Sequence, residues 1–339
     1  MRSAGVRVPR EEGEATRRGL AERGWLRTDL EIQREEGFLV FPIRGGGDPP
    51  VAPGELVERE FAPARSARPT DYRDLLPASA AWRAELPRAF DVVGDIVLIR
   101  LPESLDPHAP EIGQALLEFV PSARLVGRDR GVHGADRVRT IERLAGAGGW
   151  RTRHRENGIE FDVDVERAYF SPRLAREHER VASDVGDGDE VYDLCCGVGP
   201  FALMIARAAR ATRVTAVDAN PAAIELLRAT AGRYAFGARI DSVEARIEEF
   251  LPSARPVSRV ILNLPHEGIK YASLVVRAVA PEGRLYYYEI TPRAEFDQRA
   301  NSIMRTLGAG EWRGLDQHVV HPYAPTADLV AYTFERGGA

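Results

Sequence analysis

A chain of 339 residues, 44% apolar and 29% charged, is long enough to bury more than one core and reads as a soluble globular protein. Its apolar runs are too short to span a bilayer, and the N-terminal MRSAGVRVPREEGE lacks the apolar stretch of a secretory signal, so a cytoplasmic protein with no membrane contact is expected. A net charge of −5 gives no global basic field for nucleic acid. Lys270 is the only lysine; arginine suits bidentate phosphate contacts, but coding bias produces the same skew. Two adjacent cysteines, Cys195 and Cys196, exclude a disulfide scaffold, and the scattered histidines form no metal-ligating pair, so no metal is expected and the cysteines read as packing residues.

In chain order, a short strand at Val6–Val8, a helix from about Glu11 to Arg23 and the strand GFLVFPI (Gly37–Ile43) predict a small N-terminal unit over 1–46. RGGGDPPVAPGE then breaks every regular pattern and reads as a linker. A second unit is expected over 68–130, with strands at Gly94–Leu101 and Ala123–Asp129 around a helix at Pro110–Val120. From 131 to 339 the pattern becomes a longer strand–helix alternation. It begins with a hairpin about Asn157-Gly158, where Ile159, Phe161, Val163 and Val165 alternate with polar residues. A helix with Ser171 as N-cap and Pro172 in its first turn follows, and then EVYDLCC, RVTAVDAN, RVILNLP and GRLYYYEI as strands separated by helix-length segments. The fold class is α/β, a doubly wound domain preceded by two small α+β domains, and the C-terminal stretch reads as a closing pair of strands.

The segment DLCCGVGPF (Asp193–Phe201) turns the first strand of this domain into a helix with Gly-x-Gly-x-x-Ala, Gly197 to Ala202. Glycines there allow positive φ and close approach of a ligand. Asp218 closes the next strand nineteen residues after Gly199, where a carboxylate accepts ribose hydroxyls. Nicotinamide cofactors and S-adenosylmethionine both fit this spacing. Pro200 removes a backbone donor that a pyrophosphate would use, and S-adenosylmethionine has no phosphate. The fourth strand ends in Asn263-Leu-Pro265-His266, a turn that can hold the edge of a nucleobase and departs from the Asn-Pro-Pro-aromatic common in methyltransferases acting on exocyclic amines.

HRENGIEFDVDVERAYFSPRL, the Gly-x-Gly-Pro-Phe turn, DANPAAIELL and NLPH, in this order, resemble the archaeal and eukaryotic tRNA (guanine-37-N1)-methyltransferases in their archaeal arrangement. VRVPREEGEATRRGLAERGWL, FDVVGDIVLIRLPE, IGQALLEFVPSARLV and GADRVRTIERLAG extend the resemblance almost end to end. It implies a class I S-adenosylmethionine-dependent methyltransferase domain of Rossmann-like fold, S-adenosyl-L-methionine as cofactor, and N1 of guanosine at tRNA position 37 as methyl acceptor. A monomer is expected to reach the tRNA anticodon loop and body with its own domains, the segment 1–46 among them.

By position in the family motifs, the resemblance implies Glu177 as the base that removes the N1 proton, Arg137 as donor to O6, and Asn263 with Pro265 as holder of the guanine edge. Tyr169 would line the guanine pocket, and Asp193, Gly197, Gly199, Phe201, Asp218 and Asn263 would receive the cofactor, its methionine part at the Asp193–Phe201 loop. Plainer roles stand beside these. Glu177 lies among Arg173, Arg176, Glu179 and Arg180 and would serve equally in a surface ion pair; Arg137 neighbours Arg139 on a stretch that reads as solvated; Tyr169 and Phe170 would suit a core. Two positions depart from the family pattern: Arg246 stands where an adenine-binding acid is expected, with Glu244 as a substitute, and His178 stands where arginine is expected. The wyosine-pathway aminocarboxypropyltransferases are similar but lack the Phe-Ser-Pro-Arg and Asn-Leu-Pro elements. That reaction, methylation at another position and a non-catalytic tRNA-binding paralogue are the alternatives.

Overall fold

Alternating side chains build the first of two units, Met1–Asp74 and Leu75–Ala339, in the computed structural model, which describes residues 1–44, 54–63, 69–133, 138–308 and 310–338. In the first unit β1 (Arg2–Pro9) is followed by α1 (Gly13–Glu22), β2 (Gln33–Glu35), β3 (Phe38–Pro42) and β4 (Glu55–Glu60). They form an antiparallel sheet of order β2-β3-β1-β4. Val6 and Val8 point to one face and pack with Phe41, Ile43 and Leu20 of α1. The sequence reading ended this unit at 46, yet β4 pairs along β1 beyond the Gly/Pro-rich stretch. Its ELVERE has only Val57 part-buried, so it carries almost no apolar signal and is held by ladder bonds on the sheet edge.

The second unit begins with β5 (Asp91–Val93), β6 (Ile96–Ile99), α2 (Ala109–Phe119), β7 (Leu125–His133) and β8 (Val138–Gly146). β6 runs parallel to β7 through the crossover helix α2, and β8 returns antiparallel along β7, giving the order β5-β6-β7-β8. The sheet therefore continues past residue 130, where the sequence reading had divided the chain, to Gly146. The hairpin of β9 (Arg151–Glu156) and β10 (Ile159–Asp164) follows, and its turn residues Asn157 and Gly158 take φ of 45° and 80°.

The remaining elements are α3 (Ala175–Asp184), β11 (Glu190–Leu194), α4 (Pro200–Ala208), β12 (Arg213–Asp218), α5 (Pro221–Ala231), β13 (Ile240–Glu244), α6 (Ile247–Phe250), β14 (Val257–Leu262), α7 (Ala272–Ala278), β15 (Val279–Pro292), α8 (Phe296–Gly308), β16 (Trp312–Ala324) and β17 (Ala327–Arg336). They build a seven-stranded sheet of order β13-β12-β11-β14-β15-β17-β16, in which only β17 runs against the others and pairs antiparallel with both β15 and β16. Apolar side chains of α3, α4, α5 and β10 pack on one face and those of α6, α7 and α8 on the other. Strand alternation divides Tyr286 and Tyr288 from Tyr287 in the same way. Chain order reverses direction across the sheet between β11 and β14, so the carboxyl ends of these strands flank the crevice where such sheets bind ligands. α3 is entered through a 3-10 turn at Pro172–Leu174, and Ser171 makes no side-chain capping bond, contrary to the sequence expectation.

Candidate active site at the carboxyl ends of the parallel strands

β11 stops at Leu194, before both cysteines. Cys195 takes φ of 59° and Cys196 is buried, its N–H donating to the Val217 carbonyl at 3.0 Å. Cys195 lines both parts of the crevice described below and is part-buried against the core, while Cys196 is buried and borders only the smaller part. Gly197 and Gly199 have φ of 57° and 79°, and a Cβ on Gly199 would lie 2.3 Å from Leu227 Cδ1. The Gly197 N–H donates to Asp218 Oδ2 at 2.8 Å, and the Asn220 N–H to Asp218 Oδ1 at 2.9 Å. One carboxylate therefore ties the glycine turn to the start of α5, where Asn220 caps Ala222 N at 2.9 Å.

Asp193 lies beneath this turn. Its Oδ2 accepts from Ala202 N at 3.1 Å while its buried Oδ1 has no hydrogen-bond partner. Burial, opposed by the Ala202 N–H and reinforced by the charge of Asp218, pushes its carboxyl up to about 7. Asp193 and Gly199 shape the loop from behind and do not line the crevice.

The crevice has two neighbouring parts that share lining residues. A wide cleft of about 950 Å³ is lined by Asp218, Ala245, Arg246, Lys270 and Arg100, and a smaller cavity of about 160 Å³ by Gly197, Phe201, Asn263, Pro265 and His178. Tyr169, Cys195 and Asp218 line both. Six of the sequence-predicted residues, Tyr169, Gly197, Phe201, Asp218, Asn263 and Pro265, are thus brought together around one space. The turn after Asn263 is fixed by backbone bonds, Gly268 N–H to the Leu264 carbonyl at 2.8 Å and Ile290 N–H to the Pro265 carbonyl at 3.1 Å. Arg246 lines the wide cleft; Glu244, its proposed substitute, does not.

Glu177 and Arg137 stand differently. Arg137 lies outside the described residues. Its neighbour Arg139 is buried rather than solvated: it donates to Asp129 Oδ2 and to the Phe170 carbonyl, both at 3.0 Å, and its guanidinium lies 5.0 Å from the Tyr169 ring centre. Glu177, only 4% exposed, is on none of the crevice walls described above. It accepts from Arg180 Nη2 at 2.6 Å and Tyr288 Oη at 2.7 Å, and His318 Nε2 lies 3.0 Å away. Burial pushes the Glu177 carboxyl up, but the hydrogen bonds of His318, Arg180 and Tyr288 together hold it at about 2. Sequence reasoning offered the Arg180 pair, three residues along one helix, as an alternative; Tyr288 and His318 come from strands more than a hundred positions away and left no local signal.

Three family models match the chain: the TRM5/TYW2 methyltransferase domain over 152–309, the TYW2 N-terminal domain over 72–149 and the tRNA methyltransferase 5 N-terminal domain over 5–49. The chain is 32% identical to tRNA (guanine(37)-N(1))-methyltransferase Trm5b of Pyrococcus abyssi over 97% of its own length and 98% of the relative's. The crystal structure of that protein superimposes with a TM-score of 0.79 over 99% of both chains. The corresponding Trm5b of Methanocaldococcus jannaschii is 30% identical over 97% of this chain and 98% of its own. A structure described as the complex of aTrm5 and tRNALeu matches at 28% identity and a TM-score of 0.80, covering 98% of this chain and 99% of that one. The chain belongs to the tRNA (guanine(37)-N(1))-methyltransferase family.

Proposed function

We propose that the chain transfers a methyl group from S-adenosylmethionine to N1 of guanosine 37 in tRNA. The observation that supports this most directly is that one cavity is lined both by Gly197 of the glycine turn and by Asn263 and Pro265 of the turn after β14, and shares Tyr169, Cys195 and Asp218 with the wide cleft. The residues present suit the cofactor. Gly197 presents bare backbone to the cavity, a Cβ there meeting only the Tyr169 carbonyl within 4 Å, at 3.3 Å. Pro200 at the first position of α4 offers no N–H, so the turn is poor for pyrophosphate and suits a group without phosphate. Gly197, Phe201, Asp218 and Asn263 would hold the cofactor, with Asp193 and Gly199 supporting the loop. When bound, it supplies an electrophilic methyl on sulfur.

Asn263 and Pro265 would hold the guanine edge, with Tyr169 against the base and Arg137 toward O6. The proposal gives removal of the N1 proton to Glu177, and the network sets a condition on that role. A carboxylate held at about 2 is a weak proton acceptor, so Glu177 must part from Arg180, Tyr288 and His318 before it works as a base. The first unit and the β5–β8 sheet would contact the anticodon loop and body of the tRNA, since a small metabolite would need neither. Among the described residues no helix is long and apolar enough to cross a membrane. A cytoplasmic monomer is part of the proposal.

Labelled S-adenosylmethionine and matched tRNA transcripts carrying guanosine or adenosine at position 37 test this reading. N1-methylguanosine from the guanosine transcript alone is the expected product. Methylation elsewhere, or an aminocarboxypropyl product, would overturn it.

A further inference from the structure

Glu177 is buried, so a proton it removes needs a path out, and the three partners that hold it differ in whether they supply one. Arg180 keeps its proton at any working pH. Tyr288 is fully buried, and burial pushes its hydroxyl well up, so it returns no proton to water. His318 both titrates near neutrality and reaches solvent, its side chain being 33% exposed. The sheet sets the arrangement. Tyr288 of β15 pairs with Ala331 of β17, and Ala331 with His318 of β16, so the three side chains stand in a row on one face. With only the methyl of Ala331 between them, Glu177 is met from two strands, by Tyr288 Oη at 2.7 Å and His318 Nε2 at 3.0 Å. Two residues back along β16, Asp316 Oδ2 lies 2.7 Å from His318 Nδ1. That bond keeps a proton on Nδ1 and leaves Nε2, beside Glu177 Oε2, as the nitrogen that gains or loses the other.

We infer that His318, braced by Asp316, carries out to solvent the proton that Glu177 takes from guanosine N1. The inference rests on the reading of Glu177 as the base and adds the route by which that base is restored. In methyl transfer the N1–H bond breaks and its electron pair forms the N1–CH3 bond, the S–CH3 bond breaks with its pair left on sulfur, and the proton passes to Glu177. While Glu177 is ionised, its hydrogen bond raises the His318 ring above the ordinary 6.5; burial opposes this and Asp316 adds to it. The other groups on the carboxylate are the Arg180 cation and the neutral Tyr288 hydroxyl. Once Glu177 returns neutral, carrying the proton, its support for the ring charge is gone and the ring gives its Nε2 proton to water. The Glu177 O–H then donates to the vacated Nε2, which restores a charged ring beside an ionised carboxylate. One proton leaves for each methyl transferred, and no co-reactant other than water is needed.

Methyl transfer to a tRNA transcript carrying guanosine 37, first with the full chain in excess and then with tRNA in excess, separates this role from a structural one. His318→Gln keeps a hydrogen bond to Glu177 but carries no proton, and His318→Ala opens a space for free imidazole. With the enzyme in excess each Glu177 acts once and starts ionised, so neither variant should slow methyl transfer. With tRNA in excess, turnover should fall about 10²-fold in both. Added imidazole should restore it in His318→Ala while leaving His318→Gln low and wild type unchanged. Turnover of His318→Gln at the wild-type level, or no gain of His318→Ala from imidazole, would overturn the proposal. An equal loss in both regimes would reduce His318 to a residue that shapes the fold or the first step, and would overturn it as well. Unchanged turnover of Glu177→Gln would sink the base and this route together, whereas a Glu177→Gln defect beside normal His318 variants would sink this one alone.

Discussion

Replacing Glu177 by Gln perturbs the most strongly connected buried carboxylate near the site, and the size of the effect follows from its surroundings. Burial raises the Glu177 carboxyl, and the bonds from His318, Arg180 and Tyr288 bring it down to about 2 from an ordinary 4.5. At about 1.4 kcal/mol per pH unit, that gap amounts to roughly 3 kcal/mol favouring the folded state. A depressed carboxylate contributes this above pH 4.5 and loses it as pH falls from 4.5 to about 2. His318 has the opposite sign. The hydrogen bond to Glu177 raises it above its ordinary 6.5, so its contribution is full below pH 6.5 and fades as pH rises through the folded-state value.

The network is therefore at full strength between about pH 4.5 and 6.5. Urea unfolding of wild type and Glu177→Gln, followed by tryptophan fluorescence at pH 3, 5.5 and 8, measures the difference. It should be about 3 kcal/mol at pH 5.5 and shrink to roughly 1 kcal/mol at pH 3. The same difference at pH 3 as at pH 5.5 would show that the carboxylate charge does not hold these elements together.

The same variant probes catalysis: well below its unfolding temperature, Glu177→Gln should lose about 10²- to 10⁴-fold in methyl-transfer turnover with S-adenosylmethionine affinity retained. Unchanged turnover would remove Glu177 as the base. Gly199→Ala should lower stability by about 2 kcal/mol or more, because the residue sits at φ of 79° and its Cβ would meet Leu227 Cδ1 at 2.3 Å. An unaltered melting temperature would contradict the packing of that turn. Asp218→Asn keeps one acceptor oxygen where two backbone N–H groups, of Gly197 and Asn220, now each have one. S-adenosylmethionine affinity should fall about tenfold for a lost bond of about 1–3 kcal/mol, and calorimetric binding at wild-type strength would show that Asp218 holds neither the loop nor the ligand.

The sequence was most informative where a backbone conformation demands a particular residue. Asn157-Gly158 announced a two-residue turn and Gly197 and Gly199 a left-handed loop, since few other residues tolerate those angles. Elements with weak patterns escaped. β4 has one part-buried residue, and β8 was cut from its sheet because pairing with β7 spans residues that no local pattern links. The insertion of β17 between β15 and β16 is likewise a matter of pairing. Ser171 had the residue type of a cap but not the bond, because a 3-10 turn intervenes before α3.

The site divides along the same line. Residues at or just after a strand end, such as Asp218 and Asn263, were legible because their place on the crevice follows from the direction of the strand. Residues whose role depends on a distant partner were not. Glu177 and His178 are neighbours on α3, yet they face different surroundings, one toward Tyr288 and His318 and the other toward Glu156 and the cavity. A helix turns about 100° per residue, so adjacent side chains can serve separate networks. The carboxylate assigned to proton removal starts out bonded among donors, while the histidine beside it keeps a buried ring nitrogen without a hydrogen-bond partner. α3 therefore carries side by side the carboxylate to which the proposal gives proton removal and a histidine on the wall of the smaller cavity.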